Sequence, residues 1–250
     1  MASRVVLITG ANSGVGYGVT QVLASASEKF HVIMASRSLE KATRAKAEIE
    51  ATGSEGRLSI VQMDVTDPDS VGKAAERVGQ EFGKVDVLVN NAGVASIDQD
   101  VLTRFRTCLT TNVIGTALVT AAFRPLLLKS SEPTSIYVSS GSGSLTRTAD
   151  LMNSKLPTPG STDAYQASKA ALNMIALQER ADYHEQGLKV FIVCPGFVRS
   201  NLRGTSPDLV SGWGLAKDPR TAGETMLRII RGQRDADEGK FIHEDGIYPW

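Results

Sequence analysis

The sequence predicts an α/β protein in which a parallel β-sheet is covered by helices on both faces. Short β-branched runs alternate with longer segments of helical periodicity, an order typical of β-α-β units. The strand candidates are almost continuously apolar, which indicates strands buried on both sides. A glycine-rich turn follows the first strand directly, as in nucleotide-binding sheets.

Seven strands are predicted from the apolar runs, at residues 5–9, 30–35, 58–63, 85–90, 135–139, 189–194 and 240–243. Helical spacing predicts helices at residues 15–26, 39–51, from 68 onward, 107–129, 164–184 and 219–231. Ser38 is the expected N-cap of the second helix and Gly53 its stop. Asp67 and Pro68 are typical of the cap and first position of the third. The segments 146–163 and 197–217 are expected to be loops.

The 250 residues are expected to form one domain, because no linker, composition break or internal repeat divides the chain. Ligands of open α/β sheets bind where the strands end.

Charge and hydropathy argue against several classes of function. Lys plus Arg and Asp plus Glu both number 27, so a nucleic-acid partner is not expected. No apolar stretch approaches the ~20 residues that span a bilayer, and no secretory signal is recognisable. Cys108 and Cys194 lack metal or redox spacing and are expected to be buried free thiols. We therefore expect a cytoplasmic protein without a metal site.

The turn at residues 10–16 joins the first strand to the first helix. Its glycines permit a tight turn and close backbone approach, and a helix N-terminus attracts a pyrophosphate. The pattern predicts a dinucleotide site; a plain tight turn is the alternative. The expected contacts are Gly10, Asn12, Ser13, Gly14, Val15 and Gly16.

The end of the second strand predicts which dinucleotide binds. NAD-specific sheets usually carry an acidic residue there, which bonds the ribose 2′-hydroxyl. This chain instead has Ala35, Ser36 and Arg37. A guanidinium can hold a 2′-phosphate, and Ser36 and Asn12 can add hydrogen bonds. NADP(H) is therefore predicted, unless Arg37 is a surface residue that pairs with Glu40.

Tyr165 and Lys169 are four residues apart, so they share one face if the segment is helical. A nearby cation favours the phenolate, and the pair is therefore predicted to lower the tyrosine pKa from ~10. A tyrosine of that kind can exchange a proton with a substrate oxygen. A surface pair without catalytic meaning is the alternative.

Together these motifs resemble the classical short-chain dehydrogenase/reductase family. The long segment before Tyr165 and the Ala-Ser-Arg sequence are similar to its NADPH-dependent carbonyl-reductase branch. The resemblance covers residues 5 to about 200 and implies a Rossmann fold. It further implies a cofactor-binding half at about residues 1–135 and a catalytic and substrate-binding part at about 136–250. Its motifs are Thr9-Gly10-x-x-x-Gly14-x-Gly16, Asp64-Val65, Asn90-Asn91-Ala92-Gly93, Asn112, Ser139-Ser140, Tyr165-x-x-x-Lys169 and Pro195-Gly196.

The resemblance implies cofactor contacts at the strand ends beyond the glycine turn. Asp64 and Val65 would flank the adenine, and the Asn90-to-Gly93 motif would line the path across the sheet. Pro195 and Gly196 would form the wall behind the nicotinamide. The further implied contacts are Asn91, Ala92, Gly93, Tyr165, Lys169, Val198 and Ser200.

The resemblance also implies a catalytic group of four residues. Tyr165 would be the general acid of carbonyl reduction, and Lys169 would lower its pKa and bond the nicotinamide ribose. Ser140 would polarise the substrate oxygen, with Ser139 as its competitor for that role. Asn112 would anchor a water that links Lys169 to solvent; a polar helix residue is the alternative.

One departure concerns the 25 positions from Ser140 to Tyr165, a longer gap than most classical members have. The extra segment, near residues 147–162, contains Leu151, Met152 and two prolines. It could block subunit packing or form a substrate lid. We expect a monomer, with a homo-oligomer as the alternative.

The expected function is reduction of a ketone, aldehyde or quinone by NADPH. Apolar residues in the two loops predict a hydrophobic small-molecule substrate: Leu145, Leu151, Phe197, Leu202, Leu209 and Trp213. A dehydratase or epimerase would need a further acid beside Tyr165, for which only Asp163 is a candidate. A non-catalytic NADP-sensing protein is the third possibility, although such proteins typically lose the tyrosine or lysine.

Overall fold

The fold is described from a computed structural model, which covers residues 3–26, 30–54, 56–153 and 162–250. Strands and helices alternate from the first strand to the sixth. The elements are β1 Arg4–Thr9, α1 Gly14–Ala24, β2 Phe30–Ser36, α2 Leu39–Glu50, β3 Arg57–Gln62, α3 Pro68–Phe82, β4 Val87–Asn90, α4 Val101–Leu109, α5 Thr116–Leu127, β5 Thr134–Val138, α6 Leu145–Asn153, α7 Asp163–Tyr183, β6 Lys189–Val193, α8 Pro207–Ser211, α9 Arg220–Ile230, β7 Phe241–His243 and β8 Gly246–Tyr248.

The described strands form one sheet in the order β3-β2-β1-β4-β5-β6-β7-β8. All neighbours are parallel except β7 and β8. The chain order reverses between β1 and β4, so a crevice opens where these two strands end. The predicted Rossmann-like α/β fold is confirmed.

The core consists of two apolar layers, one on each face of the sheet. Along β1, Val6 and Ile8 pack toward α1, α2 and α9, whereas Val5 and Leu7 pack toward α3, α5 and α7. Successive side chains of a strand point to opposite faces, so a strand buried on both faces must be apolar at every position. This is the physical reason why continuous apolar runs predicted the sheet.

The strand count differs by one from the expected seven. The additional strand, β8, pairs antiparallel with β7 through a short turn, with Ile242 opposite Ile247. The turn consists of Glu244 and Asp245, since His243 pairs with Gly246. Three residues of strand are too short to show a period in the sequence.

The helix predicted at residues 107–129 begins earlier and is interrupted. Asp100 caps α4, since its carboxylate accepts from the Thr103 backbone N–H at 2.7 Å. Residues Thr110–Gly115 then form a π-helical turn before α5 continues. Such turns insert one residue into a helix and occur often at functional sites. This one contains Asn112.

The two predicted loops also contain helices. Residues 145–153 form α6, and residues 207–211 form α8. The remainder of the extra segment, residues 154–161 with both of its prolines, lies outside the described residues, as does the side chain of Met152.

Candidate active site

A cavity of about 550 Å³ lies at the carboxyl ends of the parallel strands. Its wall joins the glycine turn to the tyrosine–lysine pair, which are about 150 residues apart in sequence. Sixteen of the predicted site residues line it: Gly10, Asn12, Ser13, Gly14, Val15, Ser36, Arg37, Asp64, Val65, Asn91, Ala92, Gly93, Tyr165, Lys169, Pro195 and Ser200.

The glycine turn needs its glycines for conformation and for space. Gly10 and Gly14 adopt φ of +65° and +56°, values that side chains rarely tolerate. A Cβ on Gly16 would lie 2.6 Å from the Asn91 amide nitrogen, so this glycine serves packing and stands outside the cavity wall. Asn91 braces the turn by donating to the Thr9 carbonyl at 2.7 Å and the Gly10 carbonyl at 3.3 Å.

The N-terminus of α1 is suited to an anion. Side chains cap the first turns of α2, α3 and α4. In the described part of the chain, by contrast, Ser13 makes no side-chain cap bond to α1, and the first turn of α1 carries no acidic residue. Its N–H groups therefore remain available to a ligand in the cavity.

One end of the cavity is basic. Arg37 forms no ion pair within the described residues, and it lies in the wall together with Lys41 and Arg44. Arg37 precedes the Ser38 N-cap, whereas Lys41 and Arg44 lie three residues apart in α2 and therefore share one face of that helix. Sequence reasoning missed Lys41 and Arg44, although their i, i+3 spacing within the predicted second helix was available as a signal.

The polar residues around this end are ordered. Ser36 is buried, and its hydroxyl donates to the Asn12 side-chain oxygen at 3.0 Å. Asp64 accepts from the Thr66 backbone N–H and hydroxyl at 2.9 and 2.7 Å. These bonds hold the pKa of Asp64 below its usual value, and the nearby Arg37 charge acts in the same direction.

The two serines after β5 differ in their partners. The Ser139 hydroxyl is buried and donates to the Asn173 side-chain oxygen at 2.5 Å on α7. The Ser140 hydroxyl accepts from the Ser142 backbone N–H at 3.2 Å and acts to lower the pKa of the nearby Tyr165 phenol. Of the two serines, Ser139 contributes to the cavity wall and Ser140 does not; the role of Ser140 at the substrate oxygen stays a prediction.

Tyr165 and Lys169 lie one turn apart on α7. Lys169 is only 4% exposed, and its Nζ donates to the Val138 carbonyl at 2.8 Å. The same Nζ is 5.7 Å from the centroid of the Tyr165 ring. Burial lowers the pKa of Lys169 to about 8, so the ammonium form still predominates at pH 7.

The predicted lowering of the Tyr165 pKa is wrong for this structure. Burial raises the pKa of Tyr165 to about 12, because desolvation disfavours the phenolate more than its neighbours favour it. The nearby Ser140 hydroxyl and the charge of Arg203 act in the opposite direction. The Lys169 ammonium is instead directed to a main-chain carbonyl.

Asn112 is fully buried, and its side chain joins three segments. Its amide nitrogen donates to the Val94 carbonyl and the Ser168 hydroxyl, both at 2.8 Å, and its oxygen accepts from the Val94 N–H at 2.8 Å. A Cβ on Gly93 would lie 3.3 Å from the Asn112 oxygen and 3.4 Å from the Lys169 Nζ. Asn112 therefore adjoins Lys169, although it is not in the cavity wall.

The remaining predicted residues also stand outside the cavity wall. Asn90 points into the core, where its amide donates to the Thr120 hydroxyl at 3.2 Å. Gly196 adopts φ of +78° and turns the chain after Pro195. Val198 is buried and pairs with Lys217 in an isolated bridge that closes the following loop.

Two apolar residues of the loop predicted to meet the substrate are exposed. Phe197 is 46% and Trp213 66% exposed, and Trp213 has a positive φ of 55°. Arg203 lies over the Phe197 ring at 4.4 Å and donates to the carbonyls of residues 198, 209 and 210. Arg199 pairs with Asp218 at 2.5 Å, so its charge is neutralised.

The C-terminal residues pack against the segment that follows Ser140. The Ser144 hydroxyl donates to the Pro249 carbonyl at 2.7 Å, and the Thr146 N–H donates to the Trp250 carbonyl at 2.8 Å. Arg147 stacks on the Tyr248 ring at 3.9 Å. Sequence reasoning did not connect the chain's end with this side of the site.

Neither a membrane span nor a metal cluster is found among the described residues. None of their helices has the length and apolar character needed to cross a bilayer. No group of three or more His, Cys, Asp or Glu side chains among them is arranged to hold a metal ion. Cys108 and Cys194 are buried free thiols, as predicted.

Comparison with known proteins agrees with this geometry. The family model for short chain dehydrogenases matches residues 4–208. The chain is 30% identical to the short-chain dehydrogenase/reductase tropE of Talaromyces stipitatus, over 97% of this chain and 96% of that protein. It is 34% identical to the short-chain dehydrogenase anuI of Penicillium roqueforti, over 95% of each.

Among solved structures, the NADPH-bound carbonyl reductase from chicken fatty liver superposes with a TM-score of 0.83, at 28% identity, over the full length of both chains. The glycine turn, the tyrosine–lysine pair and the cavity that joins them lie within the matched region of the family model. The chain belongs to the short-chain dehydrogenase/reductase family.

Proposed function

We propose that this protein is an NADPH-dependent reductase of a ketone, aldehyde or quinone carried by a hydrophobic small molecule. The observation that carries the proposal is one cavity, whose wall contains a dinucleotide-type glycine turn, the basic residues of α2 and the Tyr165–Lys169 pair. The apolar loop residues around Phe197 and Trp213 support a hydrophobic substrate.

The residues present fit a phosphorylated dinucleotide. The uncapped N-terminus of α1 suits a pyrophosphate. Arg37, Lys41 and Arg44 offer three cations to a 2′-phosphate, and the end of β2 carries Ser36 in place of a carboxylate that would repel one. NADPH, when bound, supplies the hydride.

Residues of the chain polarise the substrate carbonyl and supply the proton that its oxygen takes up. Ser140 holds that oxygen and polarises the carbonyl, and the Tyr165 hydroxyl donates the proton as negative charge develops on it. A pKa of about 12 keeps Tyr165 protonated at neutral pH, which suits a proton donor. Lys169 is charged at pH 7 and can replace the proton through its ammonium group.

The alternatives are less well supported. A dehydratase or epimerase would need Asp163 as a further acid or base, but Arg104 binds this carboxylate through two hydrogen bonds. Those bonds lower the pKa of Asp163 to about 2, so it remains ionised and paired. A non-catalytic NADP-sensing protein would not need a tyrosine in the cavity wall one helical turn from a buried lysine, as Tyr165 and Lys169 are here.

The test is NADPH oxidation by the purified protein with 4-nitrobenzaldehyde and menadione, followed at the nicotinamide absorbance band. Tyr165→Phe is expected to remove turnover, because the phenyl ring cannot donate a proton. A folded Tyr165→Phe protein that keeps near-full turnover would refute the catalytic assignment. A wild-type protein that binds NADPH but oxidises none with either compound would favour the sensing alternative.

Cofactor preference is tested separately with Arg37→Ala. Loss of one charge-assisted contact to phosphate is expected to weaken NADPH binding roughly tenfold or more, with little change for NADH. Arg106→Ala, an exposed arginine of α4, is the matched control. Equal affinities of the wild-type protein for NADPH and NADH in a fluorescence titration would contradict NADP specificity. The expected monomer stays a prediction that light scattering can check.

A further inference from the structure

An ion pair ties α4 to the first turn of the helix that carries Tyr165. Arg104 Nε donates to Asp163 Oδ1 at 2.9 Å, and Arg104 Nη2 donates to Oδ2 at 2.8 Å. Two parallel hydrogen bonds between one guanidinium and one carboxylate fix the orientation of the two groups as well as their separation. The Arg104 side chain is only 13% exposed, and its Nη1 donates to the Gln99 carbonyl at 3.3 Å.

Asp163 transmits this anchoring to the helix backbone. Its Oδ1 also accepts from the Ala164 N–H at 2.8 Å, so the carboxylate holds both the arginine and the first turn of α7. Tyr165 is two residues further along. A negative group in the first turn of a helix is also favoured by the helix dipole, which keeps Asp163 ionised for Arg104.

A second bond lies beyond Tyr165. Asn112 donates to the Ser168 hydroxyl at 2.8 Å, and Ser168 donates to the Tyr165 carbonyl at 2.7 Å. Arg104 lies on α4 and Asn112 in the π-helical turn that follows it directly, so both belong to one helical segment at residues 101–115. The stretch of α7 that contains Tyr165 and Lys169 is therefore attached to that segment at both ends.

From this arrangement we infer that Arg104 and Asp163 are positioning residues for the catalytic tyrosine. Their bidentate pair fixes the first turn of α7 and so sets the distance between the Tyr165 and Ser140 hydroxyls. The inference rests on the proposed reductase function for its kinetic consequence. Neither Arg104 nor Asp163 belongs to the four-residue catalytic group expected for a reductase.

The kinetic test compares Arg104→Ala, Asp163→Ala and the double variant with wild type, using 4-nitrobenzaldehyde. Each single variant is expected to lower kcat about tenfold, because small displacements of a reacting group are costly. The KM for NADPH should change less than twofold, since Arg37 and the glycine turn are untouched. The kcat of the double variant should be no lower than that of either single variant, because each single substitution already breaks the ion pair.

Two controls separate positioning from general stability. Arg106→Ala removes an exposed arginine from the same helix and should leave kcat unchanged. Arg104→Lys keeps the positive charge but cannot form the two parallel hydrogen bonds to the carboxylate, so its kcat should lie between those of Arg104→Ala and the wild type. Full recovery by lysine, additive losses in the double variant, or a lowered melting temperature with unchanged kcat would each overturn the inference.

Hydrogen exchange measured by mass spectrometry tests the anchoring without turnover. Asp163→Ala should speed exchange in peptides from residues 163–170 and leave those from β1 and α1 unchanged; unchanged exchange at 163–170 would overturn the anchoring. If the wild-type protein reduces no carbonyl compound, the proposed function fails, while this measurement still decides whether the pair holds the helix.

Discussion

The buried Lys169 ammonium should give the protein a distinctive dependence of stability on pH. Burial lowers its pKa from the ordinary lysine value of 10.5 to about 8 in the folded chain. Between these values the unfolded chain binds more protons than the folded one, so the free energy of unfolding rises with pH. Below pH 8 both states are protonated, and the charge costs the fold roughly 3 kcal/mol, at about 1.36 kcal/mol for each pH unit.

Lys169→Met removes the charge and keeps an unbranched side chain. The substitution also removes the donor to the Val138 carbonyl, which costs roughly 1–3 kcal/mol at any pH. Relative to this variant, the wild-type protein should gain about 2 kcal/mol of unfolding free energy between about pH 6.5 and 9.5. At the acidic end of this window the variant should be the more stable of the two, although it should lack reductase activity.

The assay is urea unfolding of both proteins, followed by far-ultraviolet circular dichroism at several pH values and without added nucleotide. Groups common to the two proteins cancel in the difference. Between about pH 10 and 12 the unfolded chain loses the Tyr165 proton while the folded chain keeps it, so stability falls there. The measurements therefore stop at about pH 9.5. If the difference in unfolding free energy between the two proteins does not change from about pH 6.5 to 9.5, burial does not lower the Lys169 pKa and the argument is refuted.

Two further predictions concern residues that support the site. Asn91→Ala removes donors to the Thr9 and Gly10 carbonyls; it should weaken NADPH binding several-fold and destabilise the fold by about 1–2 kcal/mol, as titration and urea unfolding can check. Tyr137→Phe removes the 2.7 Å donor to the buried Glu179 carboxylate, so the neutral-pH loss should be roughly 2–3 kcal/mol. Burial raises the Glu179 pKa and the Tyr137 bond opposes that rise, so without the bond the carboxylate is protonated at a higher pH and the loss should shrink in acid; a loss that does not vary with pH would contradict this account.

Local signals were enough to predict the sheet and to select residues that the fold brings to one cavity. The apolar strands had to be buried on both faces, and the glycine turn could join only a strand to a helix that faces a ligand. Most predicted cofactor residues consequently line one cavity. Lys41 and Arg44 show that an available helical spacing can still be overlooked.

The sequence could not determine how strongly each group is buried. The spacing of Tyr165 and Lys169 suggested a lowered tyrosine pKa, because charge was the only effect that spacing reveals. The fold adds desolvation, which acts in the opposite direction and is the larger effect. It also directs the ammonium to the Val138 carbonyl, a partner that sequence distance conceals.

By itself, then, the sequence determined the fold class and the chemical groups of the site, since both follow from short-range patterns. The tertiary structure alone decided that the Ser139 hydroxyl binds the Asn173 side chain on α7. It also decided that Arg104 holds Asp163 across 59 positions of sequence. Such contacts depend on helix packing and on an inserted π-helical turn, neither of which leaves a period in the chain.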